Sequence, residues 1–354
     1  MTPGLAVPPR VPAEVKEGLL KLVDDAIEQG FTHAWACRRL ELSRVRAARW
    51  RWRLRKVGTL TDRAPGGVAV HALLPWEVDA ILELVECWAP VDRSHRKLAH
   101  RGSYLGKVFV SPATVRRVLA AQGIELAEPP RPPHAAFLPP WPDWVLWRPN
   151  QIWIWDATAF PRARRVCYAI VDVVSRKWIG HLLTADESST PVRPLFAEAL
   201  EREGILELLT PERLDLERDD PRRPVLLAWS DNGPQMISGS TREYMALLAI
   251  WQYHGRPGRP TDQAHVESFF GHVKVEWPHL LDIRDPVVLE AELHRIRGEY
   301  NGVRLHASIG YVTPDDEHEG RGPAIRRARV RGLSAARQAR IHTNRQSRSE
   351  SRDA

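Results

Sequence analysis

The chain has 354 residues, of which 43% are hydrophobic, so it is long enough for two or three domains with real cores. It contains no uninterrupted apolar run near eighteen residues, and its proline-rich start lacks an apolar signal segment, which argues against a membrane or secreted protein and predicts a cytoplasmic one. The three cysteines are scattered, which excludes a disulfide framework and a CxxC zinc motif.

The net charge of +7 is unevenly distributed along the chain. Residues 1–60 carry 12 lysines and arginines against 6 acidic residues, and residues 321–354 carry 10 against 2, so the centre is acidic. Basic ends around an acidic centre indicate arms that grip a polyanion. The alternative is charge that only keeps the protein soluble.

Residues 1–60 have the pattern of a helix-turn-helix DNA-binding domain. Apolar residues recur at helical spacing from Ala13 to Gln29, Thr32 can cap a second helix, and Ser43 can cap a third. The last helix of such a motif enters the major groove. Its arginines are the predicted DNA contacts, namely Arg44, Arg46, Arg49, Arg51 and Arg53. Trp50 and Trp52 between them are candidates for stacking on DNA, and the alternative is a solvated basic helix in a small bundle.

Residues 70–125 form a second helix-turn-helix-like pattern with a weaker charge. Its last helix ends at Gly123 and would expose Arg116 and Arg117, which we expect to contact DNA. Packing against another protein is the alternative. The proline-rich segment 126–148 is then a stiff, extended linker and a domain boundary.

The pattern changes from helical segments to β-rich runs in residues 149–314, and this pattern predicts an α/β catalytic domain. Three β-rich runs joined by short turns, QIWIWDATAF, RVCYAIVDVVS and KWIGHLLTA, predict an antiparallel meander. A helix precedes a buried strand that ends at Asp231, and a helix, a short strand and the loop RPGRP precede a further helix from about Thr261 to Trp277. The basic tail, residues 315–354, is expected to be mobile or weakly helical.

Three acidic residues fall at informative places in this domain. Asp156 lies near the end of the first strand, Asp231 lies just past the fourth, and Glu267 lies in the helix that starts near Thr261. If the first and fourth strands are neighbours, both aspartates emerge at one edge and the helix can add the glutamate. Converging carboxylates need cations, and oxygen ligands suit Mg²⁺ or Mn²⁺. Two such ions about 3.5–4 Å apart can clamp an in-line displacement at phosphorus.

At this point the residues resemble a known family, the DDE transposases of bacterial insertion sequences, with their ribonuclease-H-like and retroviral-integrase-like core. The resemblance runs from about Pro149 to Pro314 and rests on the stretches PNQIWIWDAT, YAIVDVVSRKWIG, WSDNGPQM, GRPGRPTDQAHVESFFGHVKVEW and YNGVRLHASIGYVTP. The ESFF-plus-lysine segment, with thirty-five residues between Asp231 and Glu267, is its most specific feature.

The resemblance implies an α/β ribonuclease-H-like core, a mixed five-stranded sheet with helices, preceded by all-α helix-turn-helix DNA-binding domains. It implies a transposase that binds the terminal repeats of its element and cleaves and joins DNA, a polynucleotidyl transferase using two Mg²⁺ or Mn²⁺ ions. Asp156, Asp231 and Glu267 match the family's metal-binding triad. The implied partners are double-stranded DNA, at element ends and target, and further copies of the chain, on the nucleoid of a bacterial cell.

Other residues match the family's DNA-contacting positions. Lys274 follows Glu267 by seven residues, so both lie on one helix face, and the resemblance implies that it touches a phosphate. Arg256 and Arg259 lie in the loop before that helix and could line the DNA channel. For His254, in the same loop, a structural role and a functional role are both open.

Further residues carry expectations about the surroundings of the site. Arg304, with His306, could orient DNA or buttress the catalytic helix. Asp172, in the middle of a strand, is expected to be structural. Trp155 stands where the family has a small polar residue, and it could narrow the site. The stretch from Asp156 to Asp231 is longer than is usual in the family, and the surplus is residues 209–224. We expect this surplus stretch on the surface, away from the metals.

Two other functions stay open at this stage. One is a catalytically silent, transposase-derived DNA-binding protein, against which the intact acidic triad argues. The other is a nuclease of the same fold that hydrolyses DNA strands without joining them.

Overall fold

A computed structural model describes residues 7–62, 69–126, 142–254 and 269–353. The chain divides into two compact units, residues 1–70 with 344–354 and residues 71–343. Within the described ranges, no helix is both long enough and apolar enough to span a membrane. The proline-rich segment predicted as a linker lies mostly outside the described residues, at 127–141.

The first unit contains three helices where the apolar spacing predicts them, α1 (Ala13–Glu28), α2 (His33–Arg39) and α3 (Arg44–Val57). The Thr32 side chain accepts a hydrogen bond from the backbone N–H of Trp35 and caps α2, as predicted. Trp50 is buried in the core of this unit with Ala47, because both lie on the inward face of α3. The expectation that Trp50 stacks on DNA is therefore wrong, whereas Trp52 is 58% exposed.

The second unit begins with three further helices, α4 (Pro75–Trp88), α5 (His95–Tyr104) and α6 (Pro112–Ala121). The hydroxyl of Ser111 accepts from the backbone N–H of Thr114 at the start of α6, and Pro112 occupies the first turn. Apolar residues from all three helices form one cluster around Leu84, Leu98 and Val115. This part of the chain is all-α, as predicted.

A mixed five-stranded sheet occupies the centre of the second unit, with the strand order β3-β2-β1-β4-β5. Its strands are β1 (Ile152–Phe160), β2 (Arg165–Asp172), β3 (Trp178–Thr184), β4 (Leu226–Ser230) and β5 (Ile250–His254). The first three form the predicted antiparallel meander, and β4 runs parallel to both β1 and β5. The predicted mixed five-stranded sheet is confirmed, including the neighbouring positions of the first and fourth strands.

Helices cover both faces of this sheet. The helices that follow β3 in the described residues are α7 (Val192–Arg202), α8 (Pro211–Leu214), α9 (Pro234–Ile237), α10 (Gly239–Leu247), α11 (the helical residues 269–276), α12 (Pro286–Gly302), α13 (Pro314–His318) and α14 (Gly322–Asp353). One face packs against α7 and α10, and the other packs against α11 and α12. We call the latter the α11 face.

Alternation along β1 decides which side chains meet which helices. Ile152 and Ile154 belong to the α11 face, whereas Trp153 and Trp155 belong to the opposite face. Trp155 packs edge-on against Phe196 of α7, with 5.4 Å between the ring centroids. The expectation that Trp155 narrows the site next to Asp156 is therefore wrong, since the two side chains point to opposite faces.

The basic tail is more ordered than the sequence suggests, because α14 is one continuous helix. Arg340 of this helix binds the buried carboxylate of Glu77 in α4, with 2.8 Å between Nε and Oε2. Arg329 donates to the hydroxyl of Ser103 in α5 and to the carbonyl oxygen of Gly310. Some of the tail arginines therefore fasten α14 to α4 and α5, and a count of charges does not reveal these internal contacts.

A polar network closes the end of the sheet at which β1 begins. The Asp172 carboxylate is fully buried and accepts hydrogen bonds from the backbone N–H groups of Asn150 and Ser175, which gives it the structural role expected. Beside it, Glu203 binds Lys177 at 3.1 Å and His318 of α13 at 2.7 Å. Burial alone would raise the pKa of Glu203, but the hydrogen bonds from His318 and Asn150 and the charge of Lys177 together lower it from 4.5 to about 2.

The surplus stretch 209–224 lies before the start of β4, where most of its residues are exposed. Asp231 follows the other end of the same strand. With about 3.3 Å per residue, the five residues of β4 separate the two by roughly 17 Å. The stretch is at the surface and away from Asp231, as expected.

We predict that Glu203→Gln changes the acid stability of the protein. Because the pKa of Glu203 is depressed in the folded state, its stabilisation is complete above about pH 4.5 and is lost as the pH falls toward 2. A pKa shift of this size corresponds to a contribution of at most about 3 kcal/mol to the free energy of unfolding. Urea unfolding at pH 7 and pH 3 should show a smaller loss of stability for the variant than for the wild type. Glu201→Gln, an exposed neighbour, should retain the wild-type difference, and equal losses in all three proteins would contradict the assignment.

Candidate metal-binding active site

The register between β1 and β4 brings two of the predicted site residues together. The last printed pair of the ladder is Ile154 with Trp229, and its register continued by two residues would set Asp156 opposite Asp231, which lies one residue past the end of β4. Neighbouring strands lie about 4.8 Å apart, so the backbones of Ile154 and Trp229 are about 5 Å apart. Ile154 and Trp229 both belong to the α11 face, and Asp156 shares that face because it lies two residues after Ile154 in β1.

Each of the two carboxylates is oriented by the backbone that follows it. Oδ1 of Asp231 accepts from the N–H of Gly233 at 2.9 Å, which is the turn chemistry expected at the end of a strand. Oδ1 of Asp156 accepts from the N–H of Ala157 at 2.8 Å. Both side chains are half-buried. Asp231 directly follows β4, whereas Asp156 is the fifth of the nine residues of β1 and not near its end as expected.

The third acidic residue and two arginines fall outside the described residues. These are Glu267, Arg256 and Arg259. Two residues after Glu267 in the sequence, Phe269 begins the described part of α11, and with Phe270 it packs into the core of the α11 face. The membership of Glu267 in the site stays a prediction.

Lys274 reaches from α11 to the strand that carries Asp156. Its Nζ donates to the hydroxyl of Thr158 at 2.6 Å and to the carbonyl oxygen of Ala159 at 3.3 Å. Thr158 lies two residues beyond Asp156 and shares its face. Burial lowers the pKa of Lys274, and the negative charge of Asp156 opposes that shift. A cationic group therefore lies beside the aspartate pair, and its contact with DNA stays a prediction.

His254 supports the backbone of Asp231. Ser230 at the end of β4 pairs with His254 at the end of β5. Nδ1 of the histidine lies 3.2 Å from the Ser230 hydroxyl and 3.4 Å from the carbonyl oxygen of Asp231. Burial lowers the pKa of the ring, although the carbonyl oxygen of Asp231 opposes the shift. Of the two roles that the sequence leaves open, these contacts favour the structural one.

Arg304 is a buttress of α11, the second of the two roles left open for it. It is 7% exposed, and its Nε donates to Oε2 of Glu276, the last residue of α11, at 2.7 Å. Its guanidinium also lies 5.3 Å from the ring centroid of Tyr300 in α12. A DNA contact by Arg304 is therefore a wrong expectation, because the group that would make it is buried and paired.

The five arginines predicted on α3 separate into two groups. Arg46 donates to the carbonyl oxygens of the segment before α1, Arg51 pairs with Asp24, and Arg53 pairs with Asp62. Arg44 and Arg49 are exposed and, within the described residues, have no hydrogen-bond or ion-pair partner.

An outward face of α3 includes one of these two arginines. Val45, Ala48, Arg49 and Trp52 are all exposed and follow one another at the spacing of a single helix face. Sequence reasoning named the arginines and Trp52 but missed Val45, which is 68% exposed although it is apolar. Val45 comes directly after Arg44 at the start of the helix, and this apolar residue among arginines is the signal that could have drawn attention to it.

The two arginines of α6 are both at the surface. Arg116 is exposed, and Arg117 is exposed and donates only to nearby neutral groups, the Ala113 carbonyl oxygen at 3.4 Å and the Thr114 hydroxyl at 3.2 Å. Neither has an acidic partner in the part of the chain that the structure describes. Both are available to a phosphate backbone, and their contact with DNA stays a prediction.

Family models match the part of the chain that contains Asp156 and Asp231. Two models described as an integrase core domain match residues 147–260 and 248–314. Together they span the five-stranded sheet, the candidate site and α12.

Individual proteins are similar to the same region. The transposase for insertion sequence element IS904 of Lactococcus lactis subsp. lactis (strain IL1403) is 26% identical over 171 residues, which are 48% of this chain and 61% of that protein. The chain therefore spans less than two thirds of that relative. Among solved structures, the catalytic core of BIV integrase is 18% identical with a TM-score of 0.34, covering 48% of this chain and 94% of its own. The HTLV-2 integrase core in complex with magnesium is 16% identical with a TM-score of 0.31, covering 49% and 97%.

We predict that Arg304→Ala lowers stability by about 3 kcal/mol, because it leaves the Glu276 carboxylate without its partner. Arg295→Ala is the matched control, since Arg295 pairs with Glu292 and Glu299 at the surface and its loss should cost less than about 1 kcal/mol. Urea unfolding measures both changes. An Arg304→Ala protein with unchanged stability and weakened DNA binding would restore the DNA-contact role.

Proposed function

From the integrase core domain of this chain, we propose that it is the DDE transposase of a bacterial insertion sequence. The observation that carries the proposal is the register of β1 and β4, which sets Asp156 opposite Asp231 on the sheet face that α11 covers. A carboxylate in the middle of β1 and another just past the end of its parallel neighbour β4 offer oxygen ligands suited to cations, and α11, whose described part begins two residues after Glu267, packs on the same face of the sheet.

In the proposed reaction the enzyme first cuts at the ends of its element and then joins them to target DNA. Water attacks a phosphodiester and releases a 3′-hydroxyl, and that hydroxyl then attacks a phosphodiester of the target. Each step forms one P–O bond and breaks another, and the protein forms no covalent intermediate.

Asp156, Asp231 and Glu267 are the residues that would hold two Mg²⁺ or Mn²⁺ ions. The fit rests on the two described carboxylates, because hard oxygen donors in a half-exposed pair leave room for water and phosphate oxygens. When bound, such ions activate the attacking oxygen and stabilise the leaving oxygen. The protein contributes the rigid spacing of the carboxylates through the sheet.

Lys274 neutralises a phosphate beside the reacting group in this proposal. Its Nζ now binds the Thr158 hydroxyl, a neutral acceptor that a phosphate oxygen can replace at a gain in electrostatic energy. The approach to Asp156 is then lined by a positive charge, which compensates part of the repulsion between DNA and three carboxylates.

The outward face of α3 and the exposed residue Arg44, which precedes Val45, recognise the element ends in this proposal. Arg44 and Arg49 contact phosphates or base edges, and Trp52 supplies an apolar surface. The other three arginines of α3 stabilise the unit that presents this face. Arg116 and Arg117 of α6 add phosphate contacts.

The proposal extends to the assembly and to the place of action. Two element ends must be brought together before both are joined to one target, so further copies of the chain act on the same DNA as a homo-oligomer. The work takes place on the bacterial nucleoid. A nuclease of the same fold and a silent DNA-binding protein remain the competing functions, and they differ in which of the two DNA reactions occurs.

We predict that Glu267→Gln abolishes both reactions while DNA binding persists. Oligonucleotides with the inverted repeats found beside the coding region serve as the substrate, with Mn²⁺ as the ion. Cleavage and strand transfer should fall at least about 100-fold, because a lost metal ligand removes several kcal/mol of transition-state stabilisation. Asp156→Asn and Asp231→Asn should behave alike.

Asp186→Asn is the control for these substitutions, because Asp186 is an exposed carboxylate that also follows a strand. It should leave both reactions unchanged. Wild-type cleavage without joining would favour the nuclease, and binding without cleavage would favour the silent protein. Full activity of Glu267→Gln would remove that residue from the site.

We also predict that Arg44→Ala with Arg49→Ala flattens the salt dependence of DNA binding. Each lost phosphate contact reduces the slope of log K against log salt by about 0.9, so the double variant should lose roughly 2. Arg218→Ala with Arg222→Ala removes two exposed arginines from the surplus stretch and should keep the wild-type slope. DNA-binding titrations between 50 and 200 mM salt measure the slope for each protein. An unchanged slope for the α3 variant would exclude this face from the interface.

A further inference from the structure

A second cluster of metal-ligating side chains lies at the β3 edge of the sheet. His181 belongs to β3, and Glu290 and His294 lie one turn apart on α12. Oε1 of Glu290 lies 3.3 Å from Nε2 of His181 and 3.1 Å from Nε2 of His294. One ligand atom from each of the three lies within 4.8 Å of the others.

The buried histidine of β3 has an acidic neighbour but no well-formed hydrogen bond. The His181 side chain has no exposed surface, and within the described residues neither ring nitrogen makes a hydrogen bond, although Nε2 lies 3.3 Å from Oε1 of Glu290. Oε2 of Glu290 is also buried without a hydrogen bond. Unsatisfied buried polar atoms cost about 1–3 kcal/mol each, so an apolar residue would serve the core better if packing were the only task.

We propose that His181, Glu290 and His294 bind a divalent transition-metal ion of the zinc type. Zinc bonds of about 2.0–2.1 Å in a tetrahedral site set neighbouring donor atoms about 3.3 Å apart. The two measured separations, 3.3 and 3.1 Å, agree with that edge length. Three protein ligands leave a fourth position for water, and the bound ion would be a partner for one of the two His181 ring nitrogens that lack a hydrogen bond among the described residues.

The donor set separates this ion from the ions of the transposase site. Two imidazoles and one carboxylate favour zinc, cobalt or nickel over magnesium, which prefers oxygen alone. Burial lowers the pKa of His181, a shift that the nearby Glu290 opposes and that the charges of His294 and Arg297 reinforce.

The cluster shares a row of the sheet with the aspartate pair. Asp156 pairs with Ala169, and Ala169 pairs with His181, so all three side chains point to the α11 face. Two strand spacings separate Asp156 from His181, about 10 Å between their Cα atoms. Within the described residues β3 is an edge of the sheet, and a bound ion would fasten α12 to it.

The full-length chain without a polyhistidine tag tests the proposal by metal binding. Asp156→Asn with Asp231→Asn forms the background, so that the acidic site does not compete. The protein is freed of metal with a chelator and titrated with Zn²⁺ and Co²⁺. Stoichiometry, the visible spectrum of bound Co²⁺ and the melting temperature are the readouts. His294→Ala is the main variant, because this side chain is half-exposed and its removal leaves the core intact.

His279→Ala is the matched control, since His279 also pairs with a glutamate on α12, Glu292, but lies outside the cluster. The proposal predicts a tetrahedral Co²⁺ spectrum and a melting temperature about 5 °C higher at saturating Zn²⁺. His294→Ala should lose one equivalent of bound ion and the shift, with affinity falling at least about 100-fold. Equal binding by the background protein and His294→Ala, equal loss in His279→Ala, or no Zn²⁺ binding at all would overturn it.

Discussion

The parallel pairing of β1 with β4 is the constraint on which the candidate site depends. Asp156 and Asp231 are 75 positions apart in the sequence, and only this register makes them neighbours. The hydrophobic alternation of both strands fixes it, because a slip of one residue would turn Trp153 and Trp155 out of their core and the isoleucines with them. Burial of large side chains on both faces therefore sets the geometry of two carboxylates that are only half-buried.

Positive charge is divided between internal clamps and exposed surfaces. Arg304 and Arg340 each bind a glutamate and tie helices together, and neither is available to DNA. Arg44 and Arg49, by contrast, lie at the surface of α3 without partners among the described residues. A basic net charge thus overstates the number of groups that can bind a polyanion, and the account of DNA binding rests on the exposed ones.

Much of the fold was predictable because periodicity reports burial. The meander, the buried strand before Asp231 and the capping by Thr32 follow from local patterns, and the adjacency of β1 and β4 follows from the family resemblance. The sequence did not predict the orientation of some side chains or the residues with which they pair. The side chains of Trp50 and Trp155 are buried, and Arg304 pairs with Glu276, twenty-eight residues earlier in the sequence. Tertiary packing decides such contacts, so the local sequence does not reveal them. The cluster at His181 had only a weak signal, the spacing of Glu290 and His294, since its third member lies over a hundred residues earlier.

Anomalous scattering from Mn²⁺ in crystals of the full chain tests the central claim most directly. The account predicts an Mn²⁺ peak at bonding distance, about 2.0–2.3 Å, from one carboxylate oxygen of Asp156 and one of Asp231, with Glu267 completing the site. A Glu267 carboxylate directed away from both aspartates, with Mn²⁺ bound only elsewhere on the protein, would contradict it.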